Sequence, residues 1–315
     1  MSPRTPSGGD SAGIGGASVT EAPAVEAPPT LRLSYSRLSK YQRCGEAYRL
    51  QYVEQVPTIP SGAALAGSAV HTVIEEMVMD GWYTDPRLVE TQGSVRFVTL
   101  FTDAVAEIGG VDACRWGGQK RAMRDEQTGK PLKDAEGKTI LVGEDFAWFC
   151  KMGPTFVKRA GTILRTDAAN GLRVIEASVE RQVTAWLDED AGVQITGIID
   201  VMLLADDTGF PTIRDWKTGT WTDAMQLATY GWLLEAIEDD SARIKADRGE
   251  IAYLRGAGPD TWIKSYDLSK WKPLVPRMFR GMVQGLGAGI YQLQPSSFCG
   301  SCWVKDSCDY GVTLP

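Results

Sequence analysis

The sequence predicts an α/β or α+β protein with a helical insertion, and three observations support that prediction. The segment "SGAALAGSAVHTVIEEMVMDGW" repeats its apolar residues at helical spacing, as an amphipathic helix does. Two later segments, "LRVIEASVERQVTAWL" and "VQITGIIDVMLLA", are rich in β-branched residues and predict a mostly antiparallel run of strands. The 315 residues are 43% apolar and 23% charged, which is sufficient for a sizeable core in a soluble protein.

Changes in composition divide the chain into five parts. Residues 1–30 are rich in Gly, Ser, Ala and Pro, and we expect them to form a disordered tail. N-terminal helices occupy 31–83. A helical insertion, interrupted by a polar hairpin or loop around "RDEQTGKPLKDAEGKTILV", occupies 84–170. The strand block and the helices after it form a core over 171–290, and a cysteine-rich segment, 291–315, closes the chain.

Charge and hydropathy exclude several classes of protein. The net charge is −7, so no global basic field indicates a nucleic-acid partner, although a local basic groove would be enough to bind one. No apolar run approaches the ~18–20 residues that cross a bilayer, and the N-terminus lacks a secretory signal pattern. We therefore expect a cytoplasmic protein without a membrane partner. In that compartment cysteines serve more often as metal ligands or catalytic groups than as disulfides.

The segment "RDWKTG" places an acid and a lysine at the end of a predicted strand. Asp215 and Lys217 are two residues apart, so both side chains project from the same face of the strand. Asp200 interrupts the preceding apolar strand and approaches Asp215 if the two strands pair as a hairpin. Two carboxylates at one position favour a bound Mg²⁺ or Mn²⁺, and a lysine beside them can hold an attacking water. The plain alternative is an internal Asp–Lys salt bridge.

These residues, together with a later helix, carry a resemblance. The order "GIID", "DWK" and "QLATY" resembles the PD-(D/E)XK nuclease superfamily and, within it, the RecB-like exonuclease branch. The resemblance implies a restriction-endonuclease-like core, in which a central mixed sheet is flanked by helices. It implies that Asp200, Asp215 and Lys217 form the active site, supported by Gln226 and Tyr230 on one helical face. Ile199 precedes the first acid, where the family name has a proline.

The only histidine, His71, lies in "GSAVHTVIEEMV" on a predicted helix. A lone helical histidine is commonly a packed core or surface residue, but a neutral imidazole also suits Mn²⁺ and other transition metals. Gly67 and His71 match a G-x-x-x-H helix of the RecB-like branch. The resemblance therefore implies a metal held by His71, Asp200, Asp215 and the backbone carbonyl of Trp216. Glu75 and Glu180 are further candidates.

The C-terminal segment "CGSCWVKDSC" places three thiols at C-x2-C-x5-C spacing, which favours one shared metal or cluster. The spacing alone does not distinguish a [4Fe–4S] cluster from structural Zn²⁺. The resemblance extends to the iron–sulfur members of the RecB-like branch, the CRISPR-associated four-cysteine exonucleases. It implies a [4Fe–4S] cluster held by Cys44, Cys299, Cys302 and Cys308. Such a site joins the N-terminal helices to the C-terminal segment.

Basic and aromatic residues alternate near Cys44. Lys40, Arg43, Tyr48 and Arg49 form a mixture that suits single-stranded DNA, with phosphates on the cations and bases on the rings. The alternative is an ordinary amphipathic helix with a solvated face.

Together these patterns predict a metal-dependent DNA exonuclease with a preference for single-stranded or end-containing DNA. Recombination, replication, repair and CRISPR-type processing are the processes considered, in the cytoplasm of a bacterium or of a phage host. The alternative is a non-catalytic DNA-binding accessory protein that keeps the nuclease fold and a cluster or zinc site. The chain has no G-x4-G-K-[ST] phosphate loop, so any helicase, like any recombination or CRISPR partner, would be a separate protein. The oligomeric state is not predicted.

Overall fold

The computed structural model describes residues 30–117, 120–125, 127–205, 209–219, 223–256 and 258–310. The predicted disordered tail, 1–30, lies outside these ranges except for Thr30.

Seven α-helices lie within the described residues: α1 Tyr35–Arg43, α2 Gly45–Tyr48, α3 Gly62–Met79, α4 Pro86–Glu107, α5 Phe146–Ala169, α6 Ala224–Ala236 and α7 Val275–Gly287. Four of them begin after a side chain that accepts a backbone N–H of the first turn, from Ser34, Asp85, Asp145 and Asp223. Within the described ranges, no helix combines the length and apolar character needed to cross a membrane.

Ten strands lie in the same ranges: β1 Leu31–Leu33, β2 Lys120–Ala122, β3 Leu141–Gly143, β4 Leu172–Val174, β5 Arg181–Asp188, β6 Val193–Ile199, β7 Val201–Ala205, β8 Pro211–Lys217, β9 Arg248–Tyr253 and β10 Ile263–Asp267. They form a three-stranded sheet, β1-β6-β5, a five-stranded sheet, β10-β9-β8-β7-β4, and the hairpin β2-β3. Parallel pairs (β1 with β6, β8 with β9) stand beside antiparallel ones, so the sheets are mixed.

Asp200 is the only residue between β6 and β7, so one extended segment passes from the first sheet into the second. The sequence indicates a single apolar strand with Asp200 in its middle, and this detail is wrong because the strand is interrupted at that residue. The predicted pairing with "RDWK" is present, since β7 runs antiparallel to β8 with Val201 opposite Arg214. Asp200 therefore lies at the junction of the two sheets, beside the end of β8.

The strands alternate their side chains between two apolar cores. Met202, Ile213 and Ile251 pack with α6 and α7, whereas Val201 and Trp216 pack with α3, α4 and α5. This period of two is what a sheet covered on both faces requires. The predicted α/β class, with mixed sheets flanked by helices, is confirmed.

The region 84–170 contains α4, the β2-β3 hairpin and α5. Helices α4 and α5 pack closely, and a Cβ on Gly153 would come within 1.9 Å of the Phe97 ring. A buried ion-pair network connects α5 to the main sheet. Arg214, which is 1% exposed, lies 2.7 Å from Glu250 and also donates to Asp167 at the end of α5. Two carboxylates compensate the buried guanidinium, so the network fixes β8, the strand that carries Asp215.

Candidate active site

The two acids of the predicted site lie side by side at the sheet junction. Asp200 is 8% exposed and Asp215 is 2% exposed. Oδ2 of Asp200 accepts the backbone N–H of Trp216 over 2.7 Å, which ties the first acid to the strand that carries the second. This hydrogen bond and the pairing of β7 with β8 therefore hold both carboxylates in place.

A chain of polar contacts extends from Asp215 to helix α6. Nζ of Lys217 lies 2.7 Å from Oδ2 of Asp215 and donates to Oε1 of Gln226 over 3.0 Å. Nε2 of Gln226 donates to the hydroxyl of Tyr230 over 2.8 Å. Gln226 and Tyr230 are four residues apart on α6 and therefore lie on one face of the helix. The helix thus gives the lysine ammonium a hydrogen-bond partner in addition to Asp215.

His71 reaches the same junction from α3. Its Nε2 lies 3.0 Å from the carbonyl oxygen of Trp216, and its Nδ1 lies 3.5 Å from Asp200 and 3.6 Å from Glu180. Glu180 does not belong to strand β5 but directly precedes it. Its φ is +46°, a left-handed conformation that costs a non-glycine residue energy. Strain of this kind is frequent at functional sites.

The concentration of carboxylates alters the titration of the site. Burial alone would lower the pKa of His71, but Asp200, Glu180 and Asp215 outweigh burial and raise that pKa to about 9. Burial raises the pKa of Asp200 to about 7, with the charge of Asp215 adding to it against the opposing effect of His71. Burial and the nearby Asp215 hold the pKa of Tyr230 well above its ordinary value. The junction is therefore a strongly negative environment that attracts a cation.

The side chains present fit a divalent cation. In the described part of the chain, ligand atoms of His71, Glu180 and Asp200 all lie within 4.8 Å of one another. Oδ2 of Asp215 is buried and has no hydrogen bond of ordinary geometry among the described residues, although Lys217 forms an ion pair with it. Carboxylate oxygens with one imidazole suit Mg²⁺ or Mn²⁺. Glu180 lies with His71 and Asp200, and the carbonyl oxygen of Trp216 lies 3.0 Å from Nε2 of His71.

Two glycines allow the close approach of these elements. A Cβ on Gly67 would come within 3.3 Å of Oγ1 of Thr218, directly after Lys217. A Cβ on Gly197 would come within 2.8 Å of the Tyr230 ring. Glu75, one turn after His71, lies near Glu180, and burial together with that charge raises its pKa.

The predicted cluster cysteines lie together at another place in the molecule. Cys44, Cys299, Cys302 and Cys308 line one cavity of about 750 Å³. Burial raises the pKa of the Cys302 thiol, and the other three thiols add to the effect, so all of them lie within electrostatic reach of it. Three of the four pack around a small apolar cluster that contains Val304. Cys114 and Cys150 belong to the core formed by α3, α4 and α5.

The residues predicted to bind DNA near Cys44 fit that role poorly. Tyr48 is 3% exposed and packs against Tyr41 and Tyr52, so its ring cannot stack on a base, and the expectation for it is wrong. Arg49 forms ion pairs with two carboxylates of its own segment. Lys40 is held between Gln51 and Tyr52. Arg43 differs, since it lines the large cavity beside Cys44.

Sequence reasoning missed an ion pair that supports the end of β8. Arg255 donates through Nε to the carbonyl oxygen of Thr218, and its Nη2 lies 2.9 Å from Glu144, which is 4% exposed. The pair thus connects the turn after Lys217 to the start of α5. No motif or periodicity in the sequence indicates that Glu144 and Arg255 meet.

Comparison with known families agrees with this geometry. The model of the PD-(D/E)XK nuclease superfamily matches residues 32–309, and the chain belongs to that superfamily. Its members are generally nucleases that use Mg²⁺ or Mn²⁺. Among curated proteins, the chain is similar to the Gene 69 protein of Mycobacterium phage D29, with 25% identity over 285 residues, 87% of this chain and 95% of that protein. It is also similar to the Gene 69 protein of Mycobacterium phage L5, with 26% identity over 294 residues and the same coverage of 87% and 95%.

Proposed function

We propose that this protein is a metal-dependent deoxyribonuclease, and an exonuclease, that hydrolyses the phosphodiester bonds of DNA at the junction of its two sheets. The observation that carries the proposal is the contact chain from Asp200 through Trp216, Asp215, Lys217 and Gln226 to Tyr230. An ordinary salt bridge would account for Asp215 and Lys217 alone. It would not account for a histidine and two further acids at the same point.

In the proposed site, His71, Glu180, Asp200 and Asp215 hold Mg²⁺ or Mn²⁺. The metal supplies positive charge for a phosphate oxygen and lowers the pKa of a bound water. Asp200 accepts the N–H of Trp216 and so holds the backbone of β8 next to its own carboxylate. Glu180 is added to the ligand set expected from the sequence, which also contains the backbone carbonyl of Trp216, 3.0 Å from Nε2 of His71.

Lys217 is the proposed positioning and electrostatic group. Asp215 and Gln226 engage its ammonium from two sides, which leaves a third N–H for the attacking water or a phosphate oxygen. Gln226 accepts from the lysine through its amide oxygen, and the donation of its amide nitrogen to Tyr230 holds the amide in that orientation. Since its pKa is held high, the Tyr230 phenol stays neutral throughout the working pH range.

The first test is the variant Asp215→Asn, which keeps the shape of the side chain and removes its charge. We expect cleavage of linear DNA in Mg²⁺ or Mn²⁺ to fall roughly 10³-fold, the scale of losing one preorganised electrostatic group. Asp103→Asn, at an exposed position of α4, makes the same charge change and serves as the control. Wild-type rates in Asp215→Asn would refute the site.

Exonuclease action is tested with paired linear and circular single-stranded DNA of the same sequence. An exonuclease degrades the linear form and leaves the circle intact. Cleavage of both forms at equal rates would restrict the proposal to an endonuclease. No cleavage of either form, with binding retained, would favour the non-catalytic accessory protein.

We also propose that Cys44, Cys299, Cys302 and Cys308 hold a [4Fe–4S] cluster. All four thiols line one cavity of about 750 Å³, and three of them follow the C-x2-C-x5-C spacing. That spacing also suits structural Zn²⁺, so metal analysis has to distinguish the two. The backbone N–H of Ser296 lies 3.3 Å from Sγ of Cys299, a contact of the kind that tunes cluster thiolates.

Anaerobic purification followed by metal analysis tests the cluster. A broad absorption band near ~400 nm with about four irons per chain is expected for a cysteine-ligated [4Fe–4S] cluster. One zinc per chain in a colourless protein would replace the cluster with a zinc site. Neither outcome bears on cleavage by the Asp215 site, so the two proposals fail independently.

A further inference from the structure

A second, smaller cavity shares the Arg255–Glu144 ion pair with the cavity that the four cysteines line. Its volume is about 320 Å³, and it is lined chiefly by Lys120, Arg121, Trp148, Phe156, Arg159 and Arg255. Trp148, Phe156 and Arg159 are eight and three residues apart along α5 and therefore share one helical face. Strand β2 supplies Lys120 and Arg121 from the hairpin. We call this cavity the cationic pocket.

The cationic pocket carries positive charge that its own residues do not neutralise. Four of its lining side chains are cations, and the carboxylate among its lining residues, Glu144, is paired with Arg255. Arg159 donates to the neutral carbonyl oxygen of Leu254. This concentration of charge stands out in a chain whose net charge is −7.

The guanidinium groups in the pocket are held by an indole ring. The Arg121 and Arg255 guanidinium carbons lie 5.8 and 4.7 Å from the centre of the Trp148 ring. A cation–π contact positions a guanidinium without occupying its N–H groups. Nε of Arg121 is buried and has no hydrogen-bond partner among the described residues. An unmade hydrogen bond of this kind costs free energy that an anion in the pocket would recover.

The pocket is connected to the proposed active site through one residue. Arg255 lines the pocket and also donates to the carbonyl oxygen of Thr218, the residue directly after Lys217. Glu144 and Arg255 line both cavities, so the larger cavity beside Thr218 and the cationic pocket meet at this ion pair. The cationic pocket therefore adjoins a cavity that reaches Thr218, the residue next to Lys217 in the chain.

We propose that the cationic pocket binds a backbone phosphate of the DNA substrate, away from the phosphate that is cleaved. This inference rests on the proposed function and assigns a substrate-binding role to the hairpin and to α5. Lys120 and Arg121 contact the phosphate, Arg159 adds charge, and Trp148 keeps the guanidinium groups in position. Binding is independent of base sequence, because only phosphate oxygens are recognised.

The double variant Lys120→Gln/Arg121→Gln tests the pocket, because glutamine keeps the side-chain stems and removes two charges. The control, Lys130→Gln/Lys133→Gln, removes two charges from exposed positions of the same region that do not line the pocket. Binding of a labelled single-stranded oligonucleotide is measured by anisotropy in a chelator, at several salt concentrations. We expect the pocket variant to bind roughly tenfold more weakly. The slope of log K against log salt concentration should become shallower by about 0.7 for each phosphate contact that is lost.

The control variant should bind within about twofold of wild type, since a distant exposed charge is screened at working salt. Equal losses in both double variants would overturn the inference in favour of a general charge effect. Wild-type binding by the pocket variant would overturn it too, and would leave the pocket to an acidic protein partner. A wild-type protein that binds but does not cleave would refute the proposed function without touching the binding result.

Discussion

The acid–lysine site and the four-cysteine site are built in different ways. In the first, each functional side chain stands on a strand or helix, or directly beside one, and contacts its neighbour within 2.7 to 3.6 Å. In the second, the side chains come from the boundary between two short helices and from a C-terminal segment of brief turns. All four line one cavity, and in the described part of the chain none of them lies in a strand.

This difference indicates which site depends on its metal for structure. Strand register and helix α6 arrange the acids and Lys217 whether or not a cation is bound. Cys44 and Cys302 pack against the same small apolar cluster, and the N–H of Gly45 donates to the carbonyl oxygen of Gln292, so a bound metal or cluster would add a further link between these segments. Binding energy there is folding energy. The two sites should therefore respond oppositely to substitution, one in rate and the other in stability.

The largest expected effect on stability comes from Cys302→Ser. Loss of one cluster ligand should lower the melting temperature by about 10 °C, since each 1 kcal/mol corresponds to ~2–4 °C in a chain of this class. Cys150→Ser, a matched change within α5, should lower it by a few degrees at most. Differential scanning calorimetry of anaerobic samples measures both. Equal shifts in the two variants would mean that the C-terminal segment needs no metal.

The residues of the acid–lysine site could be predicted from the sequence more completely than the residues around it. Asp215 and Lys217 on one face follow from the period of two, and Gln226 with Tyr230 follows from helical spacing. Glu180 could be named only as a candidate, because its position depends on a left-handed residue that no pattern marks. Tyr48 was misjudged, because alternating charge and aromaticity do not reveal that the ring is buried.

Long-range ion pairs were beyond prediction for a physical reason. Arg214 with Asp167, and Arg255 with Glu144, join α5 or the turn before it to the main sheet across long stretches of chain. Burial of such a guanidinium is favourable only when its partner arrives from elsewhere, and a single sequence does not say from where. The order of helices and strands followed from the periodicity of the sequence. The interruption at Asp200 did not, because it depends on how the strands pair in the two sheets.

Tyr230→Phe tests the effect of the acid–lysine site on the rate of cleavage. Without its hydroxyl, Nε2 of Gln226 loses its acceptor, so the amide no longer holds its oxygen towards Lys217. We expect kcat to fall about tenfold with KM nearly unchanged, because the lost interaction acts in the transition state. Tyr52→Phe removes a hydroxyl that contacts Lys40 instead, and should leave both constants unchanged. A rise in KM alone would make Tyr230 a substrate-binding residue.

The smallest effect concerns the strained residue of the acid–lysine site. Glu180→Gly and Glu180→Gln both remove the carboxylate, and only the glycine also relieves the left-handed backbone at φ +46°. Left-handed strain costs a non-glycine residue roughly 1–2 kcal/mol, and the entropy of glycine in the unfolded chain offsets part of the gain. Chemical denaturation should therefore find the glycine variant about 0.5–1 kcal/mol more stable than the glutamine variant, with cleavage impaired equally in both.

Gln55 provides the control for that comparison, because it is also left-handed, with φ +55°, and is exposed in the segment between α2 and α3. Gln55→Gly should give a similar gain in stability and leave cleavage at the wild-type rate. The glycine is thus expected to relieve strain at both positions, while only the change at Glu180 impairs cleavage. That result would mean that Glu180 holds its conformation in order to place a carboxylate beside His71. A Glu180→Gly variant less stable than Glu180→Gln would instead mean that the backbone at this junction is not strained.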